Sequence, residues 1–243
     1  MATSQNAAGR LHAALVLAVK DADNKPMREV WARVFGVDQA DTGEILRHLA
    51  VLFEQKSKAE TQIKALGGEQ EVFLRPIRGV ERLFSEFNLA EHLQKFKGRI
   101  PHATIETLEV AAEALRLRHP AGELATETRE SLLGEIDVLA EHIRAADLES
   151  EAKAGCIELV ERLRRALILY QLVGTDGVLE AVERNLGFIA REALAPEEAG
   201  IGAILKEVMQ TTILVWNTAR AAVGLTQIGA DAGEALGRLT SGT

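Results

Sequence analysis

The sequence predicts an all-α protein, an irregular multi-helix bundle with long antiparallel helical hairpins. Apolar residues make up 47% of the 243 residues and aromatic residues only 4%, so the core must be built from aliphatic side chains. The strong helix formers alanine and leucine are frequent, and the five prolines leave room for long helices. Several segments also place apolar residues at a 4-3-4-3 spacing, which puts them on one face of an α-helix.

The segment 150–173 is predicted to be the central helix. In its first half the apolar residues share one side of the helix: Cys156, Leu159, Val160 and Leu163. From Ala166 to Val173 only Gln171 is polar, and a helix that is apolar on every side must be covered on every side. We therefore expect the rest of the chain to wrap the end of this helix, and Gly174 to stop it.

The first two helices are predicted to be short. Residues 1–9 are expected to form a flexible start, followed by an apolar helix over 10–22. Pro26 suits the first turn of the second helix, and Gly36 is expected to end it. The first apolar run resembles a signal-peptide core, but it contains His12 and no small-residue cleavage site follows it, so no signal peptide is expected.

The next two helices are predicted to form an antiparallel hairpin. The first is capped by Asp41 or Thr42, stops at Gly67 and carries a stripe at heptad spacing that is apolar except for Lys56: Ile45, Leu49, Leu52, Lys56, Ala59, Ile63 and Leu66. The second is expected to begin near Arg75 and carries a matching stripe: Phe73, Ile77, Val80, Phe84 and Phe87. Because a short glycine turn joins the stripes, we expect them to pack together within one chain.

A break at residues 95–102 is predicted to separate an N-terminal hairpin region, residues 1–97, from a C-terminal bundle, residues 98–243. Besides the central helix, helices are expected to begin at Thr104, at Thr126 or Thr128, at Thr175 or Asp176, and at Pro196. The spacing of the helix pairs is uneven and no repeat signature recurs, which favours an irregular bundle over a solenoid.

Composition and motifs favour a non-enzymatic protein. The formal net charge of −8 disfavours non-specific nucleic-acid binding, because that affinity comes from lysine and arginine. The single cysteine, Cys156, excludes an intrachain disulfide and favours a reducing, cytoplasmic location. The chain has no nucleophile elbow, phosphate loop or zinc motif, so no catalytic residue, cofactor or metal ion is expected.

One candidate surface is a row of arginines in the second helix of the hairpin. Arg75, Arg78 and Arg82 share one helical face and form a possible ridge for an anion or an acidic partner. Glu71 and Glu81 lie close enough in sequence to neutralise this ridge, which favours a salt-bridged surface.

The last long helix, expected over 196–223, carries a possible partner or membrane face: Ile201, Leu205, Val208 and Trp216. Its opening from Gly200 to Lys206, GIGAILK, resembles the start of melittin-type lytic peptides. That resemblance implies a helix able to enter membranes after release. The polar face offers few cations for an interfacial helix, Lys206 and Arg220, so we expect the helix to stay docked.

The leading functional hypothesis is a protein–protein interaction module, acting as a regulator, an inhibitor or an assembly subunit. Its partner would be another protein or a second copy of the chain; no nucleic acid is expected and membrane contact is disfavoured. Two alternatives stay open. One is a membrane-active bundle that releases its C-terminal amphipathic helix, and the other is an enzyme with a bundle-core pocket and no linear motif.

Overall fold

The structure, a computed structural model, consists mainly of α-helices over the residues that it describes. It describes residues 6–20, 25–67, 70–85, 88–92, 102–118, 122–192 and 201–224. Within these ranges the helices are α1 (Ala7–Lys20), α2 (Met27–Phe35), α3 (Thr42–Ala65), α4 (Glu71–Ser85), α5 (His102–Arg118), α6 (Thr126–Ala145), α7 (Ser150–Ile168), α8 (Tyr170–Glu192) and α9 (Ile201–Ala222). An isolated antiparallel β-bridge joins Pro26 and His92. The all-α prediction is confirmed for the described residues.

The chain forms two compact units. The N-terminal unit comprises Met1–Pro120 and Gln171–Gly174, and the C-terminal unit comprises Ala121–Tyr170 and Thr175–Thr243. The sequence expectation placed the division at 97/98, which assigns α5 to the C-terminal part. In the structure α5 packs against α1 and α4, so it belongs to the N-terminal unit.

Helix α1 lies in the middle of the N-terminal unit, in contact with α2, α3 and α5. Its buried residues are Ala7, Ala8, Gly9, Arg10, Leu11, Ala14, Leu15 and Ala18. The expectation of a flexible start was wrong for residues 7–9. These residues form the first turn of α1, which the side chain of Asn6 stabilises. The Asn6 carboxamide accepts a hydrogen bond from the Gly9 amide at 3.0 Å and donates one to the Ala112 carbonyl of α5 at 2.8 Å.

Helices α2 and α3 end and begin where the sequence predicts. Gly36 terminates α2 in the left-handed conformation, with φ 69°. Asp41 caps α3, where its carboxylate accepts a hydrogen bond from the Glu44 amide at 2.8 Å. The predicted α3 stripe is buried from Ile45 to Ile63, and Lys56 is buried with it.

Helix α4 begins at Glu71 rather than near Arg75. The Leu74 amide donates to the Gln70 carbonyl at 3.0 Å, so a first turn forms ahead of Pro76. Pro76 is the sixth residue of this helix, so it removes the bond that an amide there would donate to the Val72 carbonyl, and the helix nevertheless continues to Ser85. Two residues of the predicted stripe, the side chain of Phe84 and all of Phe87, lie outside the described part of the chain.

Helices α3 and α4 pack against each other, and the stripe residues Ile77 and Val80 are buried. The Lys56 Nζ lies 3.0 Å from Glu81 Oε2 on α4 and 3.1 Å from Glu60 Oε1 on its own helix. Burial acts to lower the pKa of Lys56, but its hydrogen bonds to Glu81 and Glu60 outweigh burial, so the pKa is raised. The stabilising contribution of this cation is therefore complete below the ordinary lysine pKa and is lost as the pH rises through the raised value.

The core of the C-terminal unit is formed by α6, α7, α8 and α9. Helix α6 buries four residues at heptad spacing: Leu132, Ile136, Leu139 and Ile143. Asn185 of α8 is fully buried, donates to the Leu159 carbonyl at 2.9 Å and accepts from Arg162 at 3.0 Å. These two bonds join α8 to α7.

Helix α7 is shorter than predicted. It ends at Ile168 instead of Val173, and α8 follows from Tyr170. The predicted break at Gly174 is present inside α8, where φ is 63° and ψ −169°. Leu167 is fully buried whereas Ile168 is 52% exposed, so the apolar segment is not covered on every side.

The break at Gly174 requires glycine for two reasons. The φ/ψ combination belongs to a region that is essentially restricted to glycine. A Cβ atom there would also lie 2.2 Å from Nη1 of the buried Arg10, whose guanidinium donates to Gln55 Oε1 through Nε at 3.2 Å and Nη2 at 3.0 Å. Both the backbone conformation at Gly174 and the nearby Arg10 guanidinium therefore favour glycine at this position.

The remaining boundaries differ from expectation by a few residues. Helix α5 begins at His102 rather than Thr104. The residue before α6 is Ala125, which provides no side-chain cap, so neither Thr126 nor Thr128 caps this helix. Most of the predicted break at 95–102 and the predicted helix start at Pro196 lie outside the described residues.

Leu167→Ala is expected to lower the free energy of unfolding by about 2–5 kcal/mol, because removing a fully buried side chain leaves a cavity. Ile168→Ala, the next position, should cost less than about 1 kcal/mol because that side chain is half exposed. Denaturant titration of both variants measures the difference. Equal losses would contradict the assignment of the buried side of α7.

Gly174→Ala is expected to destabilise the protein by about 1–3 kcal/mol, since alanine rarely adopts this backbone conformation. Gly134→Ala is the matched control: it lies exposed in α6, and an added Cβ meets no other group within 4 Å. That substitution should stabilise by about 0.5–1 kcal/mol. Thermal unfolding should show shifts of opposite sign, and an unchanged midpoint for Gly174→Ala would argue against a strained turn.

Candidate interaction surfaces

The arginine ridge of α4 is partly neutralised within the helix. Arg75 and Arg78 are exposed, whereas the side chain of Arg82 lies outside the described atoms. The Arg78 guanidinium pairs with both carboxylate oxygens of Glu71, at 2.7 and 3.1 Å. Glu81 is directed instead to Lys56. An anion at this ridge would have to compete with Glu71 for Arg78.

The proposed partner or membrane face of α9 packs on the core of the C-terminal unit. Val208 is fully buried, and Ile201, Leu205 and Trp216 are half-buried against the core formed with α6, α7 and α8. The guanidinium of Arg220 lies over the Trp216 ring, 5.3 Å from its centroid. This face is therefore occupied in the folded unit. Among the described residues no helix is long and apolar enough to cross a membrane.

A groove between α6 and α7 is lined by charged residues that bind one another. Arg164 lies 2.9 Å from Asp137 and 3.8 Å from Glu161, and Arg144 lies 3.9 Å from Glu161. A ligand would have to displace these pairs. Across the described ranges no group of three or more His, Cys, Asp or Glu residues is placed to hold a metal ion.

Helix α5 carries two stripes at heptad spacing, one buried and one exposed. The buried stripe comprises Thr104, Leu108, Ala111 and Leu115. The second stripe, here called the α5 outer stripe, comprises Ala103, Thr107, Val110, Ala114 and Leu117; Thr107 and Ala114 are half-buried and the other three are exposed. The side chains of Val110 and Leu117 are 57% and 71% exposed. The second stripe is arranged as a helix–helix seam but has no partner helix among the described residues.

Glutamates line one flank of the α5 outer stripe: Glu106, Glu109 and Glu113. The Arg116 guanidinium hydrogen-bonds Glu113, which lowers the pKa of that carboxyl and keeps it ionised. His102 Nδ1 lies 3.1 Å from the Glu106 carboxylate. The flank is thus predominantly acidic.

Helix α3 also has an exposed apolar stripe, here called the α3 outer stripe: Leu46, Ala50 and Phe53. Leu46 is 48% and Phe53 38% exposed. Two charged residues run beside it at the same interval of seven, Arg47 and Glu54. Arg47 pairs with Glu44 on its own helix, and Glu54 makes no ion pair with the described residues.

Sequence reasoning missed both outer stripes, although their spacing was visible. For α3 only the buried stripe is predicted from the sequence, and for α5 no stripe is predicted. A search for a second heptad register in each helix would have found them. Which register is buried depends on packing with distant helices, which spacing alone does not contain.

Comparisons with protein-family models, with characterised proteins and with solved structures found no match to this chain. The function must therefore be argued from these surfaces.

Helix α9 is expected to stay docked when anionic vesicles are added. Each Lys or Arg near an anionic surface contributes about 1 kcal/mol, and α9 presents only Lys206 and Arg220, whereas Val208 is already buried. In a Trp31→Phe variant, Trp216 is the remaining tryptophan. Its emission should be blue-shifted in buffer and unchanged by vesicles. A further blue shift together with dye release would instead support the membrane-active alternative.

Proposed function

We propose that this protein is a non-enzymatic interaction module, a regulator, inhibitor or assembly subunit, that binds proteins through its helical faces. The observation that carries the proposal is the second apolar stripe on the exposed side of α3 and of α5. Val110 and Leu117 are 57% and 71% exposed and lie seven residues apart, the interval at which a partner helix makes its contacts. We also propose a cytoplasmic location, based on the lone buried cysteine.

The chemistry of the α5 outer stripe indicates the kind of partner. Its small residues, Ala103 before Val110 and Ala114 between Val110 and Leu117, allow a partner helix to approach closely. The acidic flank and the net charge of −8 favour a partner helix that carries lysine or arginine beside its apolar residues. The proposed ligand is therefore a basic amphipathic helix of another protein.

The membrane-active alternative would need α9 to leave the core, with Val208, Thr212, Val215 and Ala219 exposed. The enzyme alternative would need reactive groups gathered in a cavity. The α6–α7 groove offers mutually paired charges instead. These observations are why the interaction proposal is preferred.

The test compares the wild-type chain with Val110→Glu as baits for quantitative affinity capture. A partner that uses the α5 outer stripe should be recovered at least about tenfold less with the variant, because a buried unpaired carboxylate opposes packing. The recovered protein should contain a basic amphipathic helix, and its isolated peptide should bind more weakly as salt is raised.

Val138→Glu on α6 is the matched control. Val138 is 58% exposed, but the neighbouring positions on its helix face are polar or glycine: Gly134, Glu135, Glu141 and His142. This variant should capture the partner as the wild type does. The proposal would be contradicted if both variants reduced partner recovery equally, or if Val110→Glu left partner recovery unchanged.

A further inference from the structure

We infer that two copies of this chain associate through the outer faces of α4 and α5, so that α4 of each copy lies on the α5 outer stripe of the other. The inference rests on the proposed function and deepens it, since the second copy is an occupant of the α5 outer stripe that a partner helix has to displace. It follows from the way in which α4 and α5, which pack against each other, place apolar and oppositely charged residues on one surface.

Helices α4 and α5 are antiparallel, as the contacts of their neighbours show. In three helix pairs the residue numbers fall along one helix as they rise along the other: α1–α3 (Ala7–Gln62, Arg10–Gln55), α3–α4 (Lys64–Gln70, Lys56–Glu81) and α1–α5 (Asn6–Ala112, His12–Glu109). Helix α4 therefore runs in the same direction as α1, and α5 runs in the opposite direction to both.

Gly79 and Thr104 show how α4 and α5 are aligned. A Cβ atom at Gly79 would lie 3.8 Å from the Thr104 hydroxyl oxygen, so these two residues lie opposite each other. Counting from them along two antiparallel helices places Val72 opposite the turn that contains Val110. Val72 is 63% exposed and Val110 57%, so one apolar surface extends across both helices.

Opposite charges border this apolar surface. On α4 lies the exposed Arg75, which makes no ion pair with the described residues. At the same level on α5 lie Glu106 and Glu109, and Glu109 likewise makes no ion pair within the described part of the chain. Burial lowers the pKa of His12, the neighbour of Glu109 on α1, so this histidine is uncharged at neutral pH and does not compensate the carboxylate.

A two-fold axis that runs parallel to the two helices and between them makes this surface complementary to itself. It lays α4 of one copy on α5 of the other without a shift along the helices, so Arg75 meets Glu106 and Glu109 of the second copy. Val72 and Val110 of both copies then lie together near the axis. The symmetry makes every contact twice.

The other charges at this edge allow the same arrangement. Glu71 and Glu113 also come near each other across the interface, but Arg78 and Arg116 of their own helices bind them. A two-fold axis perpendicular to the helices would instead place the glutamate rows of the two copies against each other. The parallel axis is therefore the arrangement that the charges favour.

The face is large enough for a weak dimer. Val72, Val110 and Leu117 are each more than half exposed, which provides six apolar anchors in the pair. A face two helices wide and about four turns long measures roughly 20 by 20 Å, and two such faces bury about 1,000 Å² in total, the lower limit for a specific interface. We therefore expect a dissociation constant of about 10–100 μM.

The first test exchanges charges and measures sedimentation velocity from micromolar to millimolar concentration. The wild type should form a concentration-dependent dimer. Arg75→Glu should weaken it at least about tenfold, as should Glu106→Arg combined with Glu109→Arg, because each change places like charges together at both symmetric contacts. An equimolar mixture of the two variants should restore the dimer, since every contact then joins opposite charges.

Glu54→Arg combined with Glu135→Arg is the matched control for the α5 variant. These glutamates are exposed on α3 and α6 and make no ion pair with the described residues. The control changes the net charge by the same amount and should dimerise as the wild type does. If it weakened the dimer as much as the α5 variant, the effect would be one of net charge, and the inference would be overturned.

The second test examines the arrangement by disulfide trapping in a Cys156→Ala background. Arg75→Cys chains should cross-link to Val110→Cys chains, which face them across the interface, and neither should cross-link to its own kind. Equal residues lie on opposite sides of the axis, about 10 Å apart, which is farther than a disulfide spans. Val138→Cys, at an exposed position of α6, controls for random collision. Efficient self-cross-linking of Val110→Cys would overturn the arrangement.

A wild-type chain that stays monomeric up to millimolar concentration would overturn the inference, as would a dimer that neither charge variant weakens. The proposed function is tested separately, because Arg75→Glu leaves the α5 outer stripe intact and should still capture a partner helix. Loss of the dimer alone would therefore leave the proposed function standing. An intact dimer without any captured partner would contradict the proposed function and leave the dimer.

Discussion

The N-terminal unit depends on the burial of one cation. Arg10 lies among the buried, mainly apolar residues of helix α1 and is only 4% exposed, and a buried charge is tolerated only where its hydrogen bonds are met. Its guanidinium donates twice to Gln55 of α3, and Gln62, seven residues further on, accepts from the Ala7 amide at 3.3 Å. Apolar contacts alone would let α1 shift along its neighbours, whereas these hydrogen bonds form in only one alignment of α1 with α3. Gly174 leaves room for the same guanidinium, so the break in α8 and the position of α1 are parts of one constraint.

The C-terminal unit uses neutral polar groups for the same purpose. Its core is aliphatic. Aliphatic side chains hold two helices together but do little to fix their alignment along each other. The Tyr170 hydroxyl accepts from the Leu124 amide at 2.8 Å and lies 3.0 Å from the Thr175 hydroxyl, which ties the segment before α6 to the break in α8. Asn185 performs the equivalent role between α8 and α7 by bonding the Leu159 carbonyl. Loss of any of these partners would leave a buried group unsatisfied, which makes each contact selective for one arrangement.

Much of this fold was predictable from local signals. Gly36 and Asp41 mark helix ends by backbone conformation and capping, and the buried stripe of α3 follows from heptad spacing alone. The end of α7 at Ile168 was not predictable, because no breaker interrupts the apolar run before Gly174. Nor was the burial of Arg10, since its partner Gln55 lies 45 residues away. The outer stripes were not predicted for a related reason. Helix α5 has two apolar stripes, and its contacts with α1 and α4 decide which of them is buried.

The energetics of the α3 outer stripe determine what kind of association it can support. Full burial of a leucine or phenylalanine contributes about 1.5–3 kcal/mol, and only 48% of Leu46 and 38% of Phe53 is still exposed. Burial of these two side chains against a partner then contributes about 2 kcal/mol, which does not offset the roughly 4–15 kcal/mol cost of association. The α3 outer stripe alone therefore supports no stable complex. A partner of this protein must gain most of its binding energy from other contacts, such as those with the more exposed Val110 and Leu117 of the α5 outer stripe.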